Sequence, residues 1–203
     1  MGFDGTGYIQ LPSVFFATTM TLEAWFRMTG YAGNPRILSN DHTDSSPGRG
    51  FELFVNSGGS SGEVAFGLGP TYASAGWNQS VSLDEWYHYV GVFDSTYVYA
   101  YINAVQLVKN TSPSGTLVQG GYNANIGRDP AYDGDYVIGN LAHIAIYPYP
   151  LTQGQITNHY EAASSSLPNA YKNVVLSDKP MAYWPLDDAT GPWVHDEVLR
   201  AVI

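Results

Sequence analysis

The chain has no cysteine and few basic residues, and both shortages narrow its possible functions. Without Cys among its 203 residues, a disulfide framework, a thiolate nucleophile and a cysteine metal site are excluded. Its 8 Lys and Arg residues face 18 Asp and Glu residues, for a net charge of −10. The basic residues are scattered, so the electrostatic pattern of a nucleic-acid-binding protein is missing. No apolar run approaches the roughly 18 residues that span a bilayer, so we expect no membrane insertion.

Glycine and tyrosine are abundant instead, with 22 and 16 copies, while charged residues make up only 13% of the chain. This balance is typical of many short strands joined by turns and predicts an all-β fold. Residues 20–28 alternate with the period of a strand that is buried on one face. The predicted inner face carries Met20, Leu22, Ala24, Phe26 and Met28, and the other face carries Thr21, Glu23, Trp25 and Arg27.

Further strand-like runs, bounded by Gly, Asn, Asp, Ser or Pro, recur along the chain. They cover residues 8–11, 36–39, 51–55, 63–68, 86–93, 97–102, 105–108, 123–126 and 137–147. About ten strands of this length predict two packed sheets.

A helix is predicted after Leu151, with Thr152 as its N-cap and apolar residues at helical spacing from Ile156. Small residues at 162–168 then read as a linker. We therefore predict one domain over residues 1–163. Residues 164–203 would hold the linker, a short helix at about 170–176 and one further strand at 181–186.

A family resemblance rests on a series of segments that follow one another along the chain. They are FDGTGYIQLP (3–12), MTLEAWFR (20–27), RILSN (36–40), GFELFV (50–55), EWYHYVGVFD (85–94), VYAYIN (98–103), NIGR (125–128) and HIAIYPYPLTQGQITNHY (143–160). Their order resembles the laminin-G-like, concanavalin A-like jelly-roll superfamily, specifically its bacterial and phage branch. The resemblance implies a two-sheet antiparallel jelly-roll sandwich, followed here by the short helix and extra strand.

Two positions depart from the family pattern, and a third position matches it. Asn103-Ala104 replaces the usual Asn-Gly turn, and because Ala disfavours positive φ, the sequence predicts a longer turn or one of another type. Ala142-His143 replaces an acidic pair, so no role of those acids is transferred. The family's W-x-H strand contains His88, for which we predict a structural hydrogen bond within the sandwich.

The tail, VVLSDKPMAYWPLDDATG (174–191), resembles the opening of another copy of the same domain. Two alternatives follow: the tail strand begins a further repeat, or it completes this domain in permuted order. Its apolar side chains could also pair with a neighbouring copy and drive self-association. These candidate assembly residues are Met181, Tyr183, Trp184 and Leu186.

Carboxylates are poorly arranged for glycoside hydrolysis, which needs two of them roughly 5 to 9.5 Å apart. Glu23, Glu52 and Glu63 stand alone on their predicted strands, and one i, i+2 acidic pair, Asp133 and Asp135, lies in a predicted loop. We therefore predict that the chain is not an enzyme. The same pair offers the hard oxygen ligands that Ca²⁺ prefers, so Asp133 and Asp135 form a candidate calcium site.

Aromatic and amide side chains in predicted loops suit the apolar faces and hydroxyls of sugars. The candidate ligand-binding residues are Tyr72, Trp77, Asn78, Tyr122, Tyr132 and Tyr136. With the family resemblance, they favour a non-catalytic module that binds a glycan or surface polysaccharide on a secreted bacterial protein or a phage virion. A structural virion or surface-assembly protein is the alternative, and a glycoside hydrolase is a third.

Overall fold

The computed structural model describes residues 1–11, 17–40, 49–56, 59, 61–68, 71–77, 80–110, 115–131, 134–188 and 194–200. For Trp77, Val108, Leu199 and Arg200 the description is limited to the backbone. Within these residues there are thirteen strands and three helices.

The strands account for most of the ordered backbone. They are β1 (Gly2–Asp4), β2 (Ile9–Gln10), β3 (Met20–Gly30), β4 (Arg36–Ser39), β5 (Phe51–Val55), β6 (Gly62–Gly67), β7 (Tyr72–Trp77), β8 (Tyr87–Phe93), β9 (Val98–Ile102), β10 (Val105–Asn110), β11 (Asn125–Ile126), β12 (Ile138–Tyr147) and β13 (Ala182–Trp184). The helices are α1 (Gln153–Ala162), α2 (Ala170–Ser177) and α3 (Glu197–Arg200).

Two antiparallel sheets enclose the main core, as the jelly-roll prediction requires. One sheet has the order β1-β12-β3-β8-β9-β10, and β13 also pairs with β12; the other has the order β2-β11-β4-β5-β6-β7. The apolar face of β3 points between the sheets, where Met20, Phe26 and Met28 are at most 1% exposed. The alternation of β3 and the two-sheet sandwich are therefore confirmed.

The helices form a third layer on the outer face of the seven-stranded sheet. A second apolar cluster lies there, and it joins β8, β12 and β13 to side chains such as Ile156 of α1 and Val175 of α2. The predicted Thr152 cap is confirmed as a capping box with Gln155. Because these helices cover the sheet, the outward-facing Glu23 is also fully buried. The prediction that β3 is buried on one face was wrong along this part of the strand.

The first and last strands share one edge of β12. β1 pairs with residues 138–140 and β13 with residues 144–146. The Met1 ammonium donates to the carbonyl oxygens of Leu141 (2.9 Å) and Leu186 (3.1 Å), at the point where the two strands meet. The tail strand thus pairs within its own chain, as the permuted alternative describes. Whether a further repeat exists stays a prediction.

The β9–β10 hairpin differs from its prediction. Asn103 and Ala104 have φ of 51° and 63°, so the turn is a two-residue turn with positive φ at both positions, as in type I′. The His88 backbone holds Asn103 in place, since its N–H donates to Asn103 Oδ1 (2.9 Å) and its carbonyl accepts from Asn103 N–H (2.8 Å). Gln153 donates to the Ala104 carbonyl (2.7 Å). These contacts oppose the steric strain at Ala104.

Two strands were not predicted, β1 and β7. β7 contains Tyr72 and Trp77, which the sequence had suggested lie in loops. Among the described residues, no helix combines the length and the apolar character that a membrane crossing requires.

Candidate functional site

A cleft of about 630 Å³ lies where the seven-stranded sheet meets the helical layer. Its volume is in the range of small-molecule sites in proteins. Aromatic rings from five separate parts of the chain line it, together with the connection between α1 and α2. These rings belong to Trp25, Trp86, Tyr160, Tyr171 and Tyr183.

Trp25, on the outer face of β3, forms one wall of the cleft. Its ring lies parallel to that of Tyr160 (5.9 Å between centroids, 8°) and is stacked at 28° on that of His88 (5.1 Å). These neighbours fix the Trp25 rotamer. Trp86, just before β8, is 44% exposed. A half-exposed indole beside a rigid aromatic wall is the arrangement that accepts the apolar face of a sugar ring.

His143 enters the cleft from a bulge in β12, where the pairing with β3 shifts register between Ala142 and Ala145. Its φ is 52°, and its backbone N–H donates to the Pro185 carbonyl (3.1 Å). The bulge redirects the ring, because an extra residue rotates the side chain out of the strand's alternation. The imidazole Nδ1 lies 2.7 Å from the Tyr183 hydroxyl. Burial lowers the pKa of His143 to about 4, so the ring is neutral at neutral pH.

Below this wall, the Glu23 carboxylate accepts hydrogen bonds from four side chains. His88 Nε2 (2.7 Å) and the Tyr171 hydroxyl (2.7 Å) donate to Oε1, and the Tyr147 hydroxyl (2.8 Å) donates to Oε2. His159 Nδ1 lies 3.0 Å from both oxygens. The predicted structural role of His88 is confirmed. Two residues of the cleft contact this buried network: Tyr171 donates to Glu23, and Trp25 stacks on His88.

His159 bridges two carboxylates, which requires its doubly protonated form. Its Nε2 lies 2.9 Å from Asp178 Oδ2. Burial opposes the charge, but Glu23 and Asp178 together raise the pKa of His159. Burial also disfavours the charge of Glu23 and by itself would raise the pKa of that carboxyl. His159 and His88 outweigh this effect and hold the pKa of Glu23 well below its usual range. The ion pair fastens α1 and the end of α2 to the sheet.

Charged side chains are few in the cleft. Within the described residues of its lining they are Lys172 and Asp187. The Lys172 ammonium is paired with Glu197 of α3 (2.8 Å). Since Asp187 is the lone carboxylate among those lining residues, they supply no pair of the kind that glycoside hydrolysis needs.

Of the six ligand-binding residues predicted from sequence, the three whose side chains are described do not line this cleft. Tyr72 is 45% exposed on β7, at one edge of the six-stranded sheet, and Tyr122 is 46% exposed just before β11, near the opposite edge. Tyr136 is half-buried, and its hydroxyl accepts from Arg128 (3.3 Å). Because Tyr72 and Tyr122 lie near opposite edges of the sheet, the three side chains do not form one surface. The other three lie partly or wholly outside the description: Trp77, whose backbone ends β7, and Asn78 and Tyr132, both outside the described residues.

The structure describes one of the two candidate calcium residues. Asp133 lies outside the described residues. Asp135 accepts from the Asn34 backbone N–H (2.9 Å) and lies 3.4 Å from the Arg36 guanidinium. Over the described part of the chain, no three His, Asp or Glu side chains group as metal ligands. A calcium requirement stays a prediction.

The candidate assembly residues lie in the chain's own sandwich. Tyr183 (0% exposed), Trp184 (3%) and Leu186 (3%) are buried, and Met181 packs at the edge of the main core. Tyr183 faces the cleft and the second cluster, while Trp184 faces the main core. Their role in self-association stays a prediction.

Sequence reasoning missed the cleft residues Trp25, Trp86, Tyr160 and His143. Trp25 was visible as an aromatic residue on the outer face of an alternating strand, which was a usable signal. His143 was noted only as a departure from the family pattern. No pattern among neighbouring residues in the sequence indicates that these side chains meet, because the cleft forms only when the tail folds back over the sheet.

Comparisons with known proteins agree with this architecture. Residues 3–157 match the family model described as the Concanavalin A-like lectin/glucanases superfamily. A search of curated proteins gave no match. Domain 4 of an extracellular arabinanase from Geobacillus stearothermophilus, solved with arabinotriose, has a TM-score of 0.62 at 19% identity over 77% of this chain and 74% of that one. The Ruminococcus gnavus IT-sialidase CBM40, solved with α2,3-sialyllactose, has a TM-score of 0.62 at 11% identity over 77% and 94%.

One similar structure also matches the tail. A candidate carbohydrate-binding protein from Bacteroides ovatus has a TM-score of 0.70 at 16% identity and covers 97% of this chain. The chain spans 54% of that protein's length. At these identities the likenesses establish the fold and leave the ligand open.

Proposed function

The chain belongs to the Concanavalin A-like lectin/glucanases superfamily, and from that membership we propose that it is a non-catalytic carbohydrate-binding module whose ligand lies in the cleft. One observation carries the proposal: the half-exposed Trp86 stands beside the fixed wall of Trp25 and Tyr160. Polar groups of His143, Asn169 and Asp187 lie in the same lining. Aromatic platforms with a few directional polar groups suit a sugar.

The absence of catalysis is supported by the cleft's lone described carboxylate. An extracellular location is supported by a structural neighbour that is a domain of an extracellular arabinanase; a virion-surface location stays a prediction. The strongly acidic net charge fits a protein that stays soluble outside a cell.

The test is a glycan array on the intact chain, followed by calorimetry with the best ligands in CaCl₂ and in EDTA. Trp86→Ala and Tyr160→Ala should each weaken binding about tenfold or more, because each removes a stacking surface from the centre of the site. Val105→Ser is the control, since Val105 is 59% exposed on β10, away from the cleft.

Three outcomes would contradict the proposal in different ways. If Tyr72→Ala or Tyr122→Ala abolishes binding and Trp86→Ala does not, the ligand lies at the residues predicted from sequence. If no glycan binds in either buffer, the carbohydrate assignment falls. Release of new reducing ends from a polysaccharide would show that the module is an enzyme. Loss of binding only in EDTA would add calcium to the proposal.

A further inference from the structure

We infer that the cleft selects uncharged glycans and rejects sugars that carry a carboxylate. The inference rests on the proposed function, because it assigns a ligand class to the same site.

The first argument is the state of the cleft's one described cation. Recognition of a sugar carboxylate relies on an Arg or Lys that is free to form a charge-assisted hydrogen bond. Lys172 lines the cleft, but its ammonium lies 2.8 Å from Glu197 Oε1. Binding an acidic sugar through Lys172 would require breaking this ion pair.

The second argument is the negative charge of the cleft lining and of the whole chain. Asp187 lines the cleft, so an acidic ligand would bring a like charge toward it. The Met1 ammonium is outside the lining and donates to the carbonyl oxygens of Leu141 and Leu186. The net charge of −10 adds to the repulsion at low ionic strength.

The third argument concerns His143, which could have been a second cation. Its burial and its lowered pKa keep the ring neutral above about pH 4. Among the described residues, its hydrogen bond to Tyr183 uses Nδ1 alone. When the Tyr183 hydroxyl donates to Nδ1, Nε2 carries the proton and can donate to a sugar hydroxyl or ring oxygen.

Two matched pairs of ligands test the inference: lactose against 3′-sialyllactose, and methyl-esterified against de-esterified trigalacturonate. Affinities are measured by calorimetry on the intact chain, at low salt and at 0.5 M NaCl. We expect the neutral member of a bound pair to bind about tenfold tighter or more at low salt, because like charges at a binding site are strongly disfavoured. The difference should shrink at high salt.

Two variants make the test specific to this site. Glu197→Gln frees Lys172, and Asp187→Asn removes the lining carboxylate, so each should reduce the neutral-to-acidic affinity ratio about threefold or more. Glu161→Gln, an exposed change on α1, should leave the ratio unchanged.

The outcomes separate the two claims. If the acidic member binds as tightly as the neutral one or more tightly, the selectivity is wrong and the glycan-binding proposal stands. If both variants leave the ratio unchanged, the selectivity does not come from these charges and the inference is overturned. If neither pair nor any array glycan binds, the proposed function falls and the inference falls with it.

Discussion

Replacing Glu23 by Gln should destabilise the helical layer more than a charge change at any exposed position does. The substitution keeps the size of the side chain but removes its charge. His159 is then left with Asp178 as its remaining described carboxylate partner. Two tyrosine hydroxyls and His88 also lose a charged acceptor.

The magnitude follows from the burial of both partners. Glu23 and His159 are each 0% exposed. Breaking a buried ion pair costs about 3–5 kcal/mol, and here the buried His159 charge loses one of its two carboxylate partners. We expect a loss of this size in the free energy of unfolding. Weaker glycan binding should accompany it, because Tyr171 of the cleft donates to Glu23.

Urea denaturation followed by fluorescence measures the effect, with Glu161→Gln as the exposed control that should change stability by no more than about 0.5 kcal/mol. A double-mutant cycle with His159→Gln should give a coupling energy of about 2 kcal/mol or more. A loss below about 1 kcal/mol for Glu23→Gln, with no coupling to His159, would refute the network as a stabilising element.

Three further predictions test other parts of the account. Ala104→Gly should raise the free energy of unfolding by about 1 kcal/mol, because Gly tolerates the positive φ of the hairpin turn; a destabilised variant in urea denaturation would contradict the turn assignment. Gly91→Ala should destabilise by about 1–3 kcal/mol, since its Cβ would lie 2.2 Å from Val64 Cγ2 across the two sheets. The double variant with Val64→Ala should recover part of that loss, and no recovery would place the strain elsewhere. The pKa of His143 falls on folding from about 6.5 to about 4, so its neutral form is favoured in the native state; its contribution to stability is full above pH 6.5 and is lost as the pH falls toward 4. His143→Gln should therefore remove an acid-side loss on the order of 3 kcal/mol, and parallel pH profiles of wild type and variant would contradict this.

Local patterns predicted the parts of the fold that depend on neighbours in sequence. The alternation of β3 fixes which residues enter the core, because side chains of a strand point to opposite faces. The Thr152 and Gln155 pair fixes the start of α1. Neither signal requires knowledge of distant residues.

Contacts between distant residues account for the failures. Glu23 looked like an isolated carboxylate on a polar face, yet His159, Tyr147 and Tyr171 reach it only after α1 and α2 fold over the sheet. The turn at Ala104 was mispredicted because its stabilising partners lie on β8 and α1. The cleft was missed for the same reason, since the tail completes it.

The most direct test of the central claim is a titration of the chain's five tryptophan indole N–H signals by heteronuclear NMR with the tightest glycan from the array. The account predicts that the signals of Trp25 and Trp86, which line the cleft, shift with ligand concentration, and that the signal of Trp184, which is 3% exposed, does not. Shifts confined to Trp77, with Trp25 and Trp86 unchanged, would place the ligand elsewhere and contradict the cleft as the binding site.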